Sequence, residues 1–222
     1  MRIIDISGPI DEGIWDYGYD IKPFKFGKVK MSYAGIEYGL DALENMIAMT
    51  GTYFETPGDY HNYTVSDVPI EKLFMIESYV LQMPYEKLEV IDGRPCIRLE
   101  DFKAAEKKPI PENSGIILST GYGKNWFSKD YIEKCPYLNK AAMDYLIDKK
   151  PYIVVFDTPA AENDVHPENI FERYFKANIL SLTAAVNLET IKKYIVKLIV
   201  MPLNLMRVSL ASPARAIVIE EE

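Results

Sequence analysis

The run Ser114-Gly115-Ile116-Ile117-Leu118-Ser119-Thr120, closed by Gly121, constrains this chain most. A continuous apolar segment bounded by a turn residue is the pattern of a strand buried on both faces. Residues 152–156 repeat it, and Asp157-Thr158-Pro159 stands at the carboxyl end of that second run, where α/β sheets tend to carry ligands. Shorter strands are predicted over 3–6, 24–33, 36–40, 47–55, 78–83, 179–185, 194–201 and 215–220. Helical segments are predicted over 68–73, 99–105, 128–134, 139–149, 167–177 and 188–193. Ser128 is placed as an N-cap, and Ala142, Tyr145 and Leu146 share one stripe of the 139–149 helix. No repeat or linker divides the chain, so residues 1–222 read as a single α/β or α+β domain with a layered β-rich core. At 48% hydrophobic content, 222 residues suffice to bury one.

A net charge of −8 without a basic stripe argues against nucleic acid as a partner. The lysines between 22 and 30 are interrupted by aromatic and apolar residues, the pattern of a solvated face. No apolar stretch approaches a membrane span, and the first residues, with Asp5 among them, lack the apolar run of a signal peptide. Cys96 and Cys135 are too few for a disulfide scaffold and too isolated for a metal motif. A soluble, reducing, cytoplasmic setting is expected.

Chemistry concentrates between residues 49 and 61, Met-Thr-Gly-Thr-Tyr-Phe-Glu-Thr-Pro-Gly-Asp-Tyr-His. On a strand, Met49, Gly51, Tyr53 and Glu55 face one way, with Thr50, Thr52 and Phe54 on the other side. Pro57-Gly58 then bends the chain, so that Asp59 and His61 return toward Tyr53 and Glu55. A polar cluster at a strand end builds an active site or simply ends the strand, and spacing alone leaves both open. Trp15 and Tyr17 are candidates for a pocket wall, core packing being the other reading.

Several separated blocks carry a resemblance. Asp5-Ile6-Ser7-Gly8-Pro9-Ile10 through Gly13, then Gly51-Thr52 and Pro57, Val68–Leu73, Ser119-Thr120-Gly121-Tyr122, Pro136-Tyr137-Leu138, Asp157-Thr158-Pro159 and Ala211–Ile217 occur in order. Together they resemble the cyclase family that includes bacterial kynurenine formamidase and isatin hydrolase. That resemblance implies a compact α/β domain around a β-barrel-like core. It also implies hydrolysis of a small amide, lactam or related cyclic compound with one or two divalent metals, and association as a homodimer or homotetramer.

Carried over position by position, the family's metal-ligand signature has been rewritten. Its first two histidines fall on Met49 and Tyr53, its aspartate on Glu55 and its last histidine on Asp59. A later histidine falls near Phe171 and a glutamate near Thr183. A phenol of pKa ~10 binds metal only after losing its proton, and Met49 offers a soft thioether. The resemblance therefore does not extend to a dinuclear zinc site. Glu55 and Asp59 remain as hard oxygen donors for a weakly held Mg²⁺, Ca²⁺ or Mn²⁺. His61 and His166 are the nearby imidazoles, each either a general base or ligand or else a surface-loop histidine.

Three functions fit. The first is a hydrolase-like enzyme in which the Glu55/Asp59 pair activates water or substrate, with His61 or Tyr53 handling a proton and Trp15, Tyr17, Met49 and His166 bordering substrate. The second is a catalytically inactive small-molecule binder on the same fold. The third is a metal-free lyase or isomerase using Tyr53 and Glu55.

Overall fold

Strand alternation sorts the apolar residues onto two faces, and both faces are covered because the sheet closes on itself. The computed structural model describes residues 1–18 and 20–221. Its strands are β1 (Arg2–Asp5), β2 (Lys25–Tyr33), β3 (Ile36–Glu44), β4 (Tyr53–Glu55), β5 (Ile76–Gln82), β6 (Glu89–Ile91) and β7 (Arg94–Ile97). They continue as β8 (Gly115–Ser119), β9 (Tyr137–Leu138), β10 (Ile153–Phe156), β11 (Leu180–Thr183), β12 (Ile195–Pro202) and β13 (Ala211–Glu220). The helices are α1 (Gly58–His61), α2 (Leu99–Ala105), α3 (Lys140–Asp148) and α4 (Ile170–Lys176).

Strands β13, β12, β5, β8, β10, β11 and β4 pair in that order, and β4 returns to β13 to close the ring. The closure depends on the length of β13. Its residues Ala211–Pro213 pair with β4, while Ile217–Glu220 pair with β1 outside the ring. The result is a single compact α/β domain with a closed seven-strand barrel core. β5, β8, β10 and β11 run parallel, joined by crossovers that carry the helices.

Val80, Ile117, Val155, Leu182 and Phe54 lie opposite one another across five adjacent strands. They form one cluster with Val196, Leu198, Val200 and Val218, which fills the barrel. Their strand neighbours point outward. Leu81, Ile116, Leu118, Val154 and Phe156 form a second cluster with Phe102 of α2, Met143 and Leu146 of α3, and Ile170 and Tyr174 of α4. This two-sided burial is what the apolar runs at 114–120 and 152–156 encode.

Three predicted elements differ. The strand predicted over 47–55 is a strand only at Tyr53–Glu55. Residues 47–50 close a turn, with the Thr50 N–H on the Ile47 carbonyl at 3.0 Å and the Ile47 N–H on Thr50 Oγ1 at 2.9 Å. The predicted 128–134 helix is a chain of turns, because Tyr131 is drawn into an aromatic cluster and the Ser128 hydroxyl serves Asp130 instead of a helix. The 188–193 helix shortens to a 3₁₀ turn at Leu188–Thr190. No helix among the described residues is long and apolar enough to cross a membrane.

Candidate active site

Because Phe54 fills the barrel, Tyr53 and Glu55 must face outward from β4. Both are buried there, Tyr53 to 1% exposure and Glu55 to 6%. The segment before β2 covers Tyr53. Tyr17 hydrogen-bonds the Tyr53 hydroxyl and donates its own proton to the Pro159 carbonyl at 3.1 Å. A phenol has one proton to give, so the hydrogen between the two oxygens belongs to Tyr53. Burial first, then the neighbouring Glu55 carboxyl and Tyr17, push the Tyr53 phenol well above the usual tyrosine value. Tyr53 is a neutral donor.

Glu55 Oε2 accepts from Ser181 Oγ at 3.0 Å and Thr183 Oγ1 at 2.7 Å. Register explains the contact, since Ser181 stands opposite Glu55 and Thr183 opposite Tyr53 on β11. Burial raises the Glu55 pKa against these two hydrogen bonds. Thr183 lies near where the resemblance implies a glutamate, and here its hydroxyl meets the Glu55 carboxyl.

Around them lies an aromatic cluster. Trp15 meets Tyr17 and Trp126 edge-on, each at 5.4 Å, and leans on Tyr131 at 5.3 Å. Tyr131 in turn stacks on Tyr122 at 5.3 Å. Trp15 Nε1 and the Tyr131 hydroxyl are buried with no hydrogen-bond partner among the described residues. Met49, half-buried, joins this cluster and lines a pocket of about 30 Å³ with Trp15, Tyr17, Phe24 and Thr50. The pocket as it stands holds about one water.

The other predicted site residues do not join this group. Pro57-Gly58 starts α1 instead of a simple bend, and a Cβ on Gly58 would run into the Tyr63 and Ser209 carbonyls. Asp59 is exposed on α1 and accepts the Ser209 hydroxyl. His61, also exposed, sets its ring Nε2 3.0 Å from the Phe175 carbonyl. Glu55 and Asp59 thus take separate partners, one buried and one at the surface. His166 lies exposed in the loop before α4. Phe171, near which the resemblance implies a later histidine, stacks on Phe175 at 5.9 Å.

Supporting groups escaped the sequence reading. Buried Arg94 donates to the carbonyls of Cys135, Ala160 and Glu162, each at 2.9 Å, and pins the loop that presents the Pro159 carbonyl to Tyr17. Burial pushes the adjacent Cys135 thiol up to about 11, leaving it a packing group. Ser181 and Thr183 had a legible signal, two hydroxyls spaced by two in an apolar strand. Tyr131 had none of its own.

The donors here suit a metal poorly. Tyr53 keeps its proton and aims it at Tyr17, Met49 supplies a thioether, and one Glu55 oxygen already takes two hydroxyls. Among the described residues, no three His, Cys, Asp or Glu side chains are grouped to hold an ion.

The fold is thus a closed seven-strand barrel with helices on its outer face and a buried polar pair, Tyr53 and Glu55, on its shortest strand. The chain belongs to the family described as Putative cyclase, whose model matches residues 4–163. Comparison with curated proteins returns no match. Among solved structures, isatin hydrolase A from Labrenzia aggregata bound to benzyl benzoate superposes with a TM-score of 0.78 at 19% identity, over 100% of this chain and 94% of that one. An isatin hydrolase bound to the product analogue thioisatinate gives 0.78 at 15% identity, over 100% and 93%. A predicted metal-dependent hydrolase from Bacillus stearothermophilus gives 0.73 at 18%, over 98% and 97%. At these identities the likeness establishes the fold.

Proposed function

We propose that this chain is a hydrolase-like protein for a small amide, lactam or related cyclic carbonyl compound, working through phenol and carboxyl groups. The Tyr17–Tyr53 hydroxyl pair, half-buried at Tyr17 and buried at Tyr53, carries this reading. Tyr53 stands where the family keeps a metal ligand, and the proton it gives to Tyr17 passes to a substrate carbonyl oxygen that takes the place of the Tyr17 hydroxyl. Trp15 Nε1 and the Tyr131 hydroxyl add two donors without partners among the described residues. Glu55, with its raised pKa and with Oε1 free of hydrogen bonds among the described residues, is the group that takes a proton from the attacking water. Asp59, His61 and His166 have no part in this scheme.

A second reading, binding without turnover, draws support from the near-complete burial of Tyr53 and the saturation of Glu55 Oε2 by two hydroxyls. The lyase or isomerase reading uses the same Tyr53 and Glu55 and has no observation of its own. The two buried free thiols fit a reducing cytoplasm, and we read residues 1–222 as one unit that associates as a homodimer or homotetramer.

Thermal-shift and turnover measurements with small aromatic amides and lactams, all in EDTA, separate these readings. Tyr53→Phe is expected to weaken binding about tenfold, one hydrogen bond's worth near 1.4 kcal/mol. Glu55→Gln is expected to keep binding and abolish turnover. Turnover that survives Glu55→Gln removes the carboxyl from the mechanism. Binding with no turnover in the wild type selects the second reading.

A further inference from the structure

The Tyr17 hydroxyl plays two roles at one point. It accepts the Tyr53 hydrogen and donates its own to the Pro159 carbonyl at 3.1 Å. Pro159 is buried, and its carbonyl has no other hydrogen-bond donor among the described residues. A carbonyl only accepts, and Tyr53 has a proton to give. Whatever stands between these two groups must therefore accept on one side and donate on the other.

The two sides of this contact are held differently. Arg94 and the Cys135 thiol both bond the next carbonyl, Ala160, at 2.9 Å and 3.1 Å, so the loop that presents Pro159 is pinned. Tyr17 rides on a short segment bracketed by Gly13 at φ +82° and Gly18 at φ +67°. A Cβ on either glycine would meet nothing within 4 Å, which leaves both ends of the segment room to turn. In place, the segment keeps Trp15 Nε1 buried with no partner among the described residues, a cost that opening removes. A groove of about 300 Å³ between it and Phe127, Ser128 and Ile132 gives it somewhere to go. With Tyr17 in place, the pocket beside it measures about 30 Å³, room for a water and not for an amide.

We propose that the Tyr17 hydroxyl stands in for the C=O and N–H edge of a cis amide and is displaced when such a compound binds. This assignment rests on the reading of the site as one for a small carbonyl compound, and it states which carbonyl compounds enter. A lactam or a primary amide carries both groups on one edge. Its oxygen takes the Tyr53 hydrogen, and its N–H takes over the Pro159 carbonyl. An open-chain secondary amide, trans by preference, turns its N–H to the opposite edge. Esters, ketones and N-alkylated amides bring an acceptor alone and leave the Pro159 carbonyl buried without a donor, which a site built around that bond penalises. The Pro159 carbonyl is thus the specificity-determining group, and Tyr17 competes with the substrate for it.

Isothermal titration of the full chain in EDTA tests this with three probes on one bicyclic frame. Oxindole is a lactam with a free N–H, N-methyloxindole keeps its carbonyl and loses the donor, and indan-2-one keeps its shape with CH2 in place of NH. Oxindole is expected to bind at least tenfold more tightly than either control, the effect of about one hydrogen bond to a buried acceptor. Tyr17→Phe vacates the place between Tyr53 and Pro159 and is expected to tighten oxindole about tenfold while keeping its lead over the controls. Equal affinities for the three probes overturn the Pro159 assignment and leave the carbonyl-compound reading standing. Unchanged or weaker oxindole binding by Tyr17→Phe makes Tyr17 a pocket wall and overturns the displacement. Binding of no probe by either chain overturns the reading of the site, and this inference with it. If Tyr17→Phe loses the wild-type circular dichroism, Tyr17→Leu is read in the same way.

Discussion

Tyr53 and Asp157 show how single buried groups set the chemistry of this molecule. Tyr53 keeps its proton because burial, Glu55 and Tyr17 all oppose ionisation. Asp157, fully buried at the end of β10, accepts from the Thr120 N–H at 2.8 Å, the Gly121 N–H at 2.7 Å and the Thr120 hydroxyl at 2.7 Å. Burial outweighs these bonds and raises its pKa to about 7. Between its unfolded value near 3.8 and about 7, the folded state therefore holds a proton that the unfolded state has released. Stability from this group is full below the lower value and falls as pH rises through the upper one, by roughly 4 kcal/mol at about 1.4 per unit. Asp157→Asn is expected to flatten the fall in Tm between pH 4 and pH 7, within the range set by these two pKa values. Calorimetry across that range checks it, and an unchanged slope would assign the fall to other groups. At this scale the sequence exposed Tyr53, Glu55, Trp15 and Tyr17, whose types stand out in their own segments. It could not expose Tyr131, whose role comes from packing between distant segments, and the spacing of Ser181 and Thr183 is visible in the sequence but gains its partner only through register with β4.

Among the elements, β4 is the one on which barrel and site both depend. Its three residues divide the work by alternation, Phe54 inward and Tyr53 and Glu55 outward. Phe54→Ala is expected to cost about 3–5 kcal/mol by emptying a fully buried barrel position. Tyr53→Phe, which removes one hydroxyl and no core volume, is expected to cost about 1 kcal/mol. Urea unfolding of the two variants measures the difference, and equal losses would mean that β4 does not alternate between core and site. β8 and β10 were legible because apolar side chains on both faces leave no periodicity to misread. The 47–55 strand was overextended because Thr and Gly at 50–52 fit a strand as well as a turn. In the structure, Gly51 at φ +78° ends that ambiguity. The 128–134 segment failed as a helix because its aromatic residue answers to Trp15, Trp126 and Tyr122.

For the whole molecule, the proposed function keeps the family's barrel and changes its donor set, a reading that separates stability from metal. A metal that binds only the folded chain adds about 2.7 kcal/mol at a hundred times its Kd. At roughly 2–4 °C per kcal/mol for a domain of this size, that is a rise of about 5–10 °C in Tm. On that reading, with Phe171 packed on Phe175, Asp59 bound to Ser209 and Tyr53 protonated, no such linkage is expected. Internal contacts hold the site region, through the closure of β4 on β13 and the Arg94 hydrogen bonds to the loop over Tyr17. Scanning calorimetry in EDTA, and again with zinc or manganese added, is therefore expected to give melting temperatures within about 1 °C of each other, the shift expected when no site links binding to folding. A rise of the calculated size with either ion, lost in Glu55→Gln, would show that the Glu55 carboxyl holds a metal after all and would return the site to the chemistry of its neighbours.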